Sequence, residues 1–299
     1  MKLPVLIVGY LRPEKLEILL QSMEKNQRRV FLFIDRALPP YTELNRSVFS
    51  VAERYLERIE IETHWAKENL GVGLGVPAAL DWVFQFVGDI IVLEDDCFPT
   101  ESALHFFDSQ VDRLQNEIVM ACGTSPWVIE ENDAPKESLT LSKYPLIWGW
   151  STNKGNWLKV SKLIRSEVPH TRTLKALLKN PSKLLPISFF YAATIRVRKG
   201  KLKAWDSPLA LEMLLSDYKS IIPNLTLVEN SGQDNFASHF SNPHSLLEEV
   251  VSKSASGSAS KEIDLSDHAR KITDKEIEKK IYNMKLRNLL SPVKAFLGL

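Results

Sequence analysis

The sequence predicts an α/β fold with a mixed, mostly parallel central sheet that is flanked by helices. Short, continuously apolar runs such as Val30–Ile34 indicate strands that are buried on both faces, as at the parallel centre of such a sheet. Stretches with apolar residues at helical spacing separate these runs, so the chain begins with a β-α-β-α-β pattern. Charged residues follow several of the runs, at the strand ends where open α/β sheets bind ligands.

The first 125 residues contain the clearest elements. The predicted strands are residues 4–9, 30–34, 59–63, 90–93 and 118–122. The predicted helices are one that begins at Pro13, with apolar residues 16, 19, 20 and 23 on one face, and those at 41–57, 76–87 and 100–115. The strand at 59–63 alternates apolar and polar residues, so it is expected nearer the edge of the sheet.

The rest of the chain is less regular. Residues 130–143 predict a loop, and residues 159–203 predict a basic helical segment that breaks at its three prolines, 169, 181 and 186. A helix that follows Trp205-Asp206 continues to Ser216, and short extended pieces are expected at 220–222 and 226–228.

The C-terminal part is expected to be separate from the body. Residues 246–272 contain a low-complexity Ser-rich stretch and predict a flexible linker. Residues 273–299 predict an amphipathic, basic helical tail. Such a tail can make peripheral contact with an anionic membrane or dock on a partner protein, and it can equally pack back on the body or form a dimer.

The most informative stretch is the one that ends the strand at 90–93. Its apolar residues lead directly into Glu94, Asp95 and Asp96. Three adjacent carboxylates repel one another unless a cation or hydrogen-bond donors compensate them. Carboxylate oxygens suit Mg²⁺ or Mn²⁺, and phosphates often complete the coordination shell. The stretch therefore indicates a metal-diphosphate site, with a solvated acidic turn as the alternative.

Two further patterns bear on ligands. Glycines 71, 73 and 75 precede a helix, but they lack the strand that a dinucleotide-binding loop needs directly before it, so we expect close approach to a ligand or an ordinary helix start. Three tryptophans, Trp148, Trp150 and Trp157, lie within ten residues. Exposed aromatic rings can bind sugar faces, and core packing is the alternative.

Composition limits the partners. The 38 basic and 37 acidic residues nearly balance, so bulk nucleic-acid binding is not expected. Two cysteines, Cys97 and Cys122, give neither a disulfide framework nor a zinc-binding spacing, which favours a cytoplasmic location. No run approaches the roughly 18 apolar residues of a spanning helix.

Taken in order, a series of motifs across residues 3–240 resembles the GT-A glycosyltransferases, which have a Rossmann-like fold. The greatest similarity is to bacterial nucleotide-diphospho-sugar transferases that are related to N-acetylglucosaminyltransferase I. The motifs are a first strand followed by Arg12-Pro13, then Asn69-Leu70-Gly71, Val92-Leu93-Glu94-Asp95-Asp96, Trp148-Gly149-Trp150, Trp205-Asp206 and an Asn-Ser-Gly loop that continues to Ser238-His239. Their order along the chain makes the resemblance specific.

The resemblance implies a role for each matching residue. Asp96 would be the direct ligand of Mn²⁺ or Mg²⁺, with His239 as a further metal or phosphate contact. Asp206 would be the general base. The implied nucleotide-binding residues are Arg12, Asp35, Asn69, Gly71, Glu94 and Asp95, and the implied sugar or acceptor residues are Trp148, Gly149, Trp150 and Trp205.

The resemblance also implies an activity and a division of the chain. Residues 1–245 would be a glycosyltransferase domain, with a nucleotide-binding half at 1–125 and an acceptor half at 126–245. The enzyme would transfer a sugar, with inversion, from a UDP-sugar to a glycan acceptor in bacterial polysaccharide biosynthesis, in the cytoplasm or at the inner face of the membrane. A sugar-nucleotide pyrophosphorylase and a catalytically silent subunit that binds sugar nucleotide or glycan are the alternatives.

Overall fold

The computed structural model describes residues 1–125, 139–167, 170–232 and 274–279. The strands in these ranges are β1 (Val5–Gly9), β2 (Val30–Ile34), β3 (Ile61–Trp65), β4 (Asp89–Glu94), β5 (Cys97–Pro99), β6 (Ile118–Cys122), β7 (Leu139–Ser142), β8 (Trp150–Asn153), β9 (Lys219–Pro223) and β10 (Val228–Asn230). The α-helices are α1 (Pro13–Lys25), α2 (Thr42–Glu53), α3 (Gly71–Val83), α4 (Glu101–Gln110), α5 (Lys154–Val160), α6 (Lys162–Arg165), α7 (His170–Lys179), α8 (Leu184–Arg198) and α9 (Asp206–Ser216). Short 3-10 helices occupy Val111–Arg113 and Pro181–Lys183.

One eight-stranded sheet organises the molecule. Its strand order is β3-β2-β1-β4-β8-β6-β9-β7. Strand β1 pairs in parallel with β2 on one side and with β4 on the other. Strand β8 is antiparallel to both of its neighbours, β4 and β6. The expected α/β architecture with a mixed, mostly parallel sheet is therefore confirmed.

The central strands are apolar throughout because helices cover both faces of the sheet. Along β1, Leu6 packs into a core with α3, α8 and α9, whereas Val5 and Ile7 pack into a second core with α1, α2 and α4. Strand β2 alternates in the same way. Successive side chains of a strand point to opposite faces of the sheet, so a strand that is covered on both faces has no polar side.

The structure corrects several predicted boundaries. Helix α3 begins at Gly71 rather than at position 76, so the glycine-rich stretch lies inside the helix. Residues 139–142, expected in a loop, form strand β7 beside β9, and residues 126–138 lie outside the described ranges. Pro186 does not break the basic helical segment, because it lies in the first turn of α8, where no intrahelical N–H bond is required of it.

A two-stranded antiparallel ribbon, β5 with β10, lies next to the main sheet. Two glycines make room for it. A Cβ atom on Gly123 would lie 2.4 Å from Cγ2 of Val228, and one on Gly149 would lie 2.7 Å from the same atom. Gly149 also has a φ of +69°, which favours glycine. The side chain of Val228 thus fits only above residues that lack a Cβ.

Residues 274–279 form a short helical segment that packs on the body. Ile277 is 7% exposed and belongs to the core beside α8 and α9. Ser142 Oγ donates to Asp274 Oδ1 at 2.8 Å, and Tyr144 Oη donates to Glu278 Oε1 at 3.0 Å. This part of the predicted tail thus packs back on the body, while the predicted linker and residues 280–299 lie outside the described ranges. Within those ranges, no helix has the length and apolar character needed to cross a membrane.

Candidate functional site

The carboxyl ends of β1 and β4 meet at the point where the chain order of the sheet reverses. From β1 the chain continues to β2 and β3 on one side, and it returns to β4 on the other side. Such switch points are the usual ligand crevices of open α/β sheets. Tyr10 and Arg12 follow β1 here, and the acidic residues end β4. The fold therefore places the acidic residues that end β4 at the switch point of the sheet.

Arg12 joins the two strand ends. Its Nη1 atom lies 2.6 Å from Asp95 Oδ1 and 3.1 Å from Asp96 Oδ2. The backbone N–H of Tyr10 donates to the other oxygen of Asp95 at 3.0 Å. Asp95 is only 3% exposed, so it is held in place as an anchor, whereas Asp96 retains more access to solvent. Arg12 and Asp95, both predicted to bind the nucleotide, are thus in direct contact.

The site contains more negative charge than Arg12 neutralises. Burial, together with the nearby charges of Asp96, Asp95 and Asp206, raises the pKa of Glu94 to about 8, while Arg12 opposes the shift. Burial also raises the pKa of Asp95 to about 6, against the effect of Arg12. An additional cation near these carboxylates would stabilise their charged forms.

Asp206 is the first residue of α9 and lies near the acidic cluster. Its charge is among those that raise the pKa of Glu94. Ala204, two residues before Asp206, is close to the beginning of α3, since a Cβ on Gly73 would lie 3.9 Å from the Ala204 backbone nitrogen. The amino ends of α3 and α9 and the carboxyl ends of β1 and β4 therefore surround the same site.

The turn after β10 covers Asp96. The backbone N–H of Ser231 donates to the carbonyl of Asp96 at 2.9 Å, and Lys15 Nζ donates to the carbonyl of Ser231 at 2.6 Å. A Cβ on Gly232 would lie 2.5 Å from Asp96 Oδ2. We did not predict Lys15 from the sequence. The Asn-Ser-Gly motif marks this loop in the sequence, but the residue predicted to act there is His239, which lies outside the described residues.

Asp35, Asn69 and Gly71 form a helix cap beside this site. The carboxylate of Asp35 accepts from the backbone N–H groups of Leu70 at 2.9 Å and Gly71 at 2.8 Å, and Asn69 Nδ2 donates to the Arg36 carbonyl at 2.6 Å. Asp35 is 5% exposed, and burial raises its pKa. In this structure Asp35 satisfies the first N–H groups of α3, which explains the early start of that helix.

The tryptophans are mainly core residues. Trp150 and Trp205 are 1% and 2% exposed, and their rings stack with a centroid distance of 5.8 Å. Trp157 is also buried and contacts both rings. Neither Trp150 nor Trp205 presents a ring face to solvent, so both pack as core residues here, and a sugar contact by either one stays a prediction. Trp148 is half-buried, and a sugar contact there stays a prediction.

The described side chains at this site offer few ligands for a metal ion. Among the described residues, no group of three or more His, Cys, Asp or Glu side chains has the arrangement of a metal centre. Asp96 presents a partly exposed carboxylate at the crevice, and Glu94 and Asp206 are also partly exposed there. The Asp96 site fits a divalent cation whose remaining ligands come from a bound phosphate and water. Both cysteines are free and buried, as expected for a chain without a disulfide framework.

Comparison with known proteins gives no further guide to this site. No protein-family model matches the sequence, and no curated protein matches it. The assignment of a function therefore depends on the residues and their geometry.

Proposed function

We propose that this protein is a metal-dependent, inverting glycosyltransferase that transfers a sugar from a nucleotide diphosphate donor, a UDP-sugar, to a hydroxyl group of a glycan. The observation that carries the proposal is the contact of Arg12 with Asp95 and Asp96 at the switch point of the sheet, with Asp206 near the same cluster. In one crevice, Arg12 would supply a positive charge, Asp96 a carboxylate for the metal ion, and Asp206 a separate base.

The donor half of the reaction would use Asp96 and Arg12. Asp96 would hold Mn²⁺ or Mg²⁺, and the bound cation would act as a Lewis acid toward the departing diphosphate. One oxygen of Asp95 accepts a hydrogen bond from Arg12, and its other oxygen accepts one from the backbone N–H of Tyr10. Arg12 is thus oriented before any ligand arrives, and preorganised charges of this kind stabilise a developing negative charge most effectively.

The acceptor half would use Asp206. Its carboxylate would accept the proton of the acceptor hydroxyl while that oxygen forms a bond to the anomeric carbon. The bond between the anomeric carbon and the diphosphate oxygen breaks in the same step, and the diphosphate keeps the electron pair. Attack from the face opposite the leaving group inverts the anomeric centre.

The test begins with a thermal-shift screen of UDP-, GDP-, CMP- and dTDP-sugars, each with and without Mn²⁺. A ligand at about 100 times its Kd stabilises the native state by about 2.7 kcal/mol, so a bound donor should raise the Tm clearly. Asp96→Ala should abolish the Mn²⁺-dependent shift, and Asp206→Asn should keep the shift but lower turnover at least 100-fold. Asp112→Ala, which changes an exposed acid after α4, is the matched control.

Several outcomes would contradict the proposal. Donor affinity that survives both Asp96→Ala and a chelator would remove the metal from the mechanism. Retention of configuration in the product would remove Asp206 as the base. Donor binding without turnover would indicate a binding subunit, and release of pyrophosphate from a nucleoside triphosphate would indicate a pyrophosphorylase.

A further inference from the structure

The outer side of α7 combines exposed leucines with lysines. We define the α7 surface as Leu174, Lys175, Leu178 and Lys179. Leu174 and Leu178 are 58% and 74% exposed, and they lie four residues apart, on one side of the helix. The two lysines have the same spacing and are also exposed. Leu184, 57% exposed, follows after the short 3-10 helix.

Helix α7 is attached to the body by its other side. Both Nη atoms of Arg172 donate to the carboxylate of Glu212 at 2.8 Å, and Thr173 is 5% exposed. Glu212 is itself 2% exposed, so this is an anchored contact rather than a mobile surface pair. The attachment fixes the orientation of the helix and leaves the α7 surface facing outward.

Positive charge is concentrated in the stretch of sequence that contains this surface. Between positions 159 and 203 the sequence has twelve Lys or Arg residues and one acidic residue, Glu167, although the whole chain is nearly balanced. Within the described part of the chain, no acidic side chain forms an ion pair with Lys175 or Lys179. A local excess of positive charge next to exposed leucines is therefore a property of this segment and not of the protein as a whole.

We propose that the α7 surface docks on a membrane that carries anionic lipids. A helix that lies in the membrane interface inserts apolar side chains at the boundary with the acyl chains, while its lysines contact the negatively charged headgroups. Nucleic acid would engage the lysines but would leave the two leucines in water. The charge and the leucines together thus favour a lipid surface, and neither feature is part of the proposed catalytic site.

The experiment measures sedimentation of the full-length protein with vesicles of phosphatidylcholine alone or with 30% phosphatidylserine, at low and high salt. Binding is expected only with phosphatidylserine and should weaken with salt. Each lysine near an anionic surface contributes roughly fivefold to binding, so Lys175→Ala with Lys179→Ala should weaken it about thirtyfold. Leu174→Ser with Leu178→Ser should weaken it by about tenfold or more, because two apolar side chains lose their burial.

The matched control is Leu56→Ser with Lys25→Ala, which changes an exposed leucine and an exposed lysine far from α7 in the sequence. It should bind like the wild type. The proposal is overturned if the wild type ignores phosphatidylserine, or if the α7 variants bind as well as the wild type. It is also overturned if the leucine variant converts a dimer to a monomer without any change in vesicle binding, or if duplex DNA binds and vesicles do not.

Discussion

Arg12 holds the candidate site together. It contacts two carboxylates in the turn that follows β4, more than eighty positions later in the chain. Asp95 is buried, and a buried carboxylate requires a partner charge or hydrogen-bond donors to remain ionised. The pair therefore stabilises the folded protein at the switch point of the sheet, where the candidate site lies.

Replacing Arg12 with Ala should lower the free energy of unfolding by about 3 kcal/mol, because the loss of one partner leaves buried negative charge uncompensated. The measurement is urea unfolding of Arg12→Ala, of Asp95→Asn and of the double variant. The double variant should be more stable than the sum of the single effects predicts, since the two residues are in direct contact.

Arg46→Ala is the matched control for Arg12. Arg46 pairs with Glu43 at 2.6 Å, but their side chains are 68% and 79% exposed. A pair in water contributes little, so the change should stay within about 0.5 kcal/mol. Equal losses for Arg12→Ala and Arg46→Ala would show that the contact at the switch point is an ordinary surface pair.

At the scale of secondary structure elements, the sequence predicts the buried strands best. The strand boundaries of β2 and β6 are confirmed, because an apolar run between polar residues has few alternative placements. The amino end of α3 was placed too late, since the residue that caps it, Asp35, is 35 positions away in the sequence. Strand β8 was not predicted because its buried residues include Ser151 and Thr152, which give no apolar run.

The ribbon of β5 and β10 depends on a glycine. Gly149→Ala should destabilise the protein by about 2 kcal/mol or more, because the new Cβ meets Val228 and the positive φ adds backbone strain. Adding Val228→Ala should restore part of the loss, since it removes the two closest atoms. Thermal unfolding of Gly149→Ala, of Val228→Ala and of the double variant measures both effects.

Gly155→Ala is the comparison for Gly149. Gly155 lies in α5, and a Cβ there would make only an ordinary contact, 3.5 Å from Asn153 Oδ1. Alanine in a helix is favoured over glycine by about 0.5 to 1 kcal/mol, so this variant should be slightly more stable. A similar loss for both substitutions would show that the fit beneath Val228 is unimportant.

At the scale of the whole molecule, residues 274–279 add a contact that the sequence left open among several alternatives. Asp274 accepts from Ser142 Oγ at 2.8 Å and from the Lys143 backbone N–H at 3.2 Å, and burial raises its pKa. Asp274→Ala should cost about 1 to 2 kcal/mol and should increase hydrogen exchange at 274–279. Asp274→Asn keeps an acceptor oxygen and should cost less, and unchanged exchange in the Ala variant would contradict this anchor.

The location of the candidate site was predictable, but its internal contacts were not. Acidic residues after an apolar run identify a strand end from the sequence alone, and parallel strands place such ends at one edge. The partners of these acids, Arg12 and the backbone of Tyr10 and Ser231, depend on how distant elements pack. The burial of Trp150 and Trp205 is likewise set by packing that no local pattern records.

Strand β8 comes from the later part of the chain, yet it lies between β4 and β6 from the earlier part. The two predicted halves are therefore interlaced in one sheet and cannot swing apart like hinged lobes. If the polypeptide were cut between positions 125 and 139, the first fragment would carry a gap in its sheet with two open strand edges, which promote aggregation. Soluble material from such a cut protein would require both fragments to be produced together.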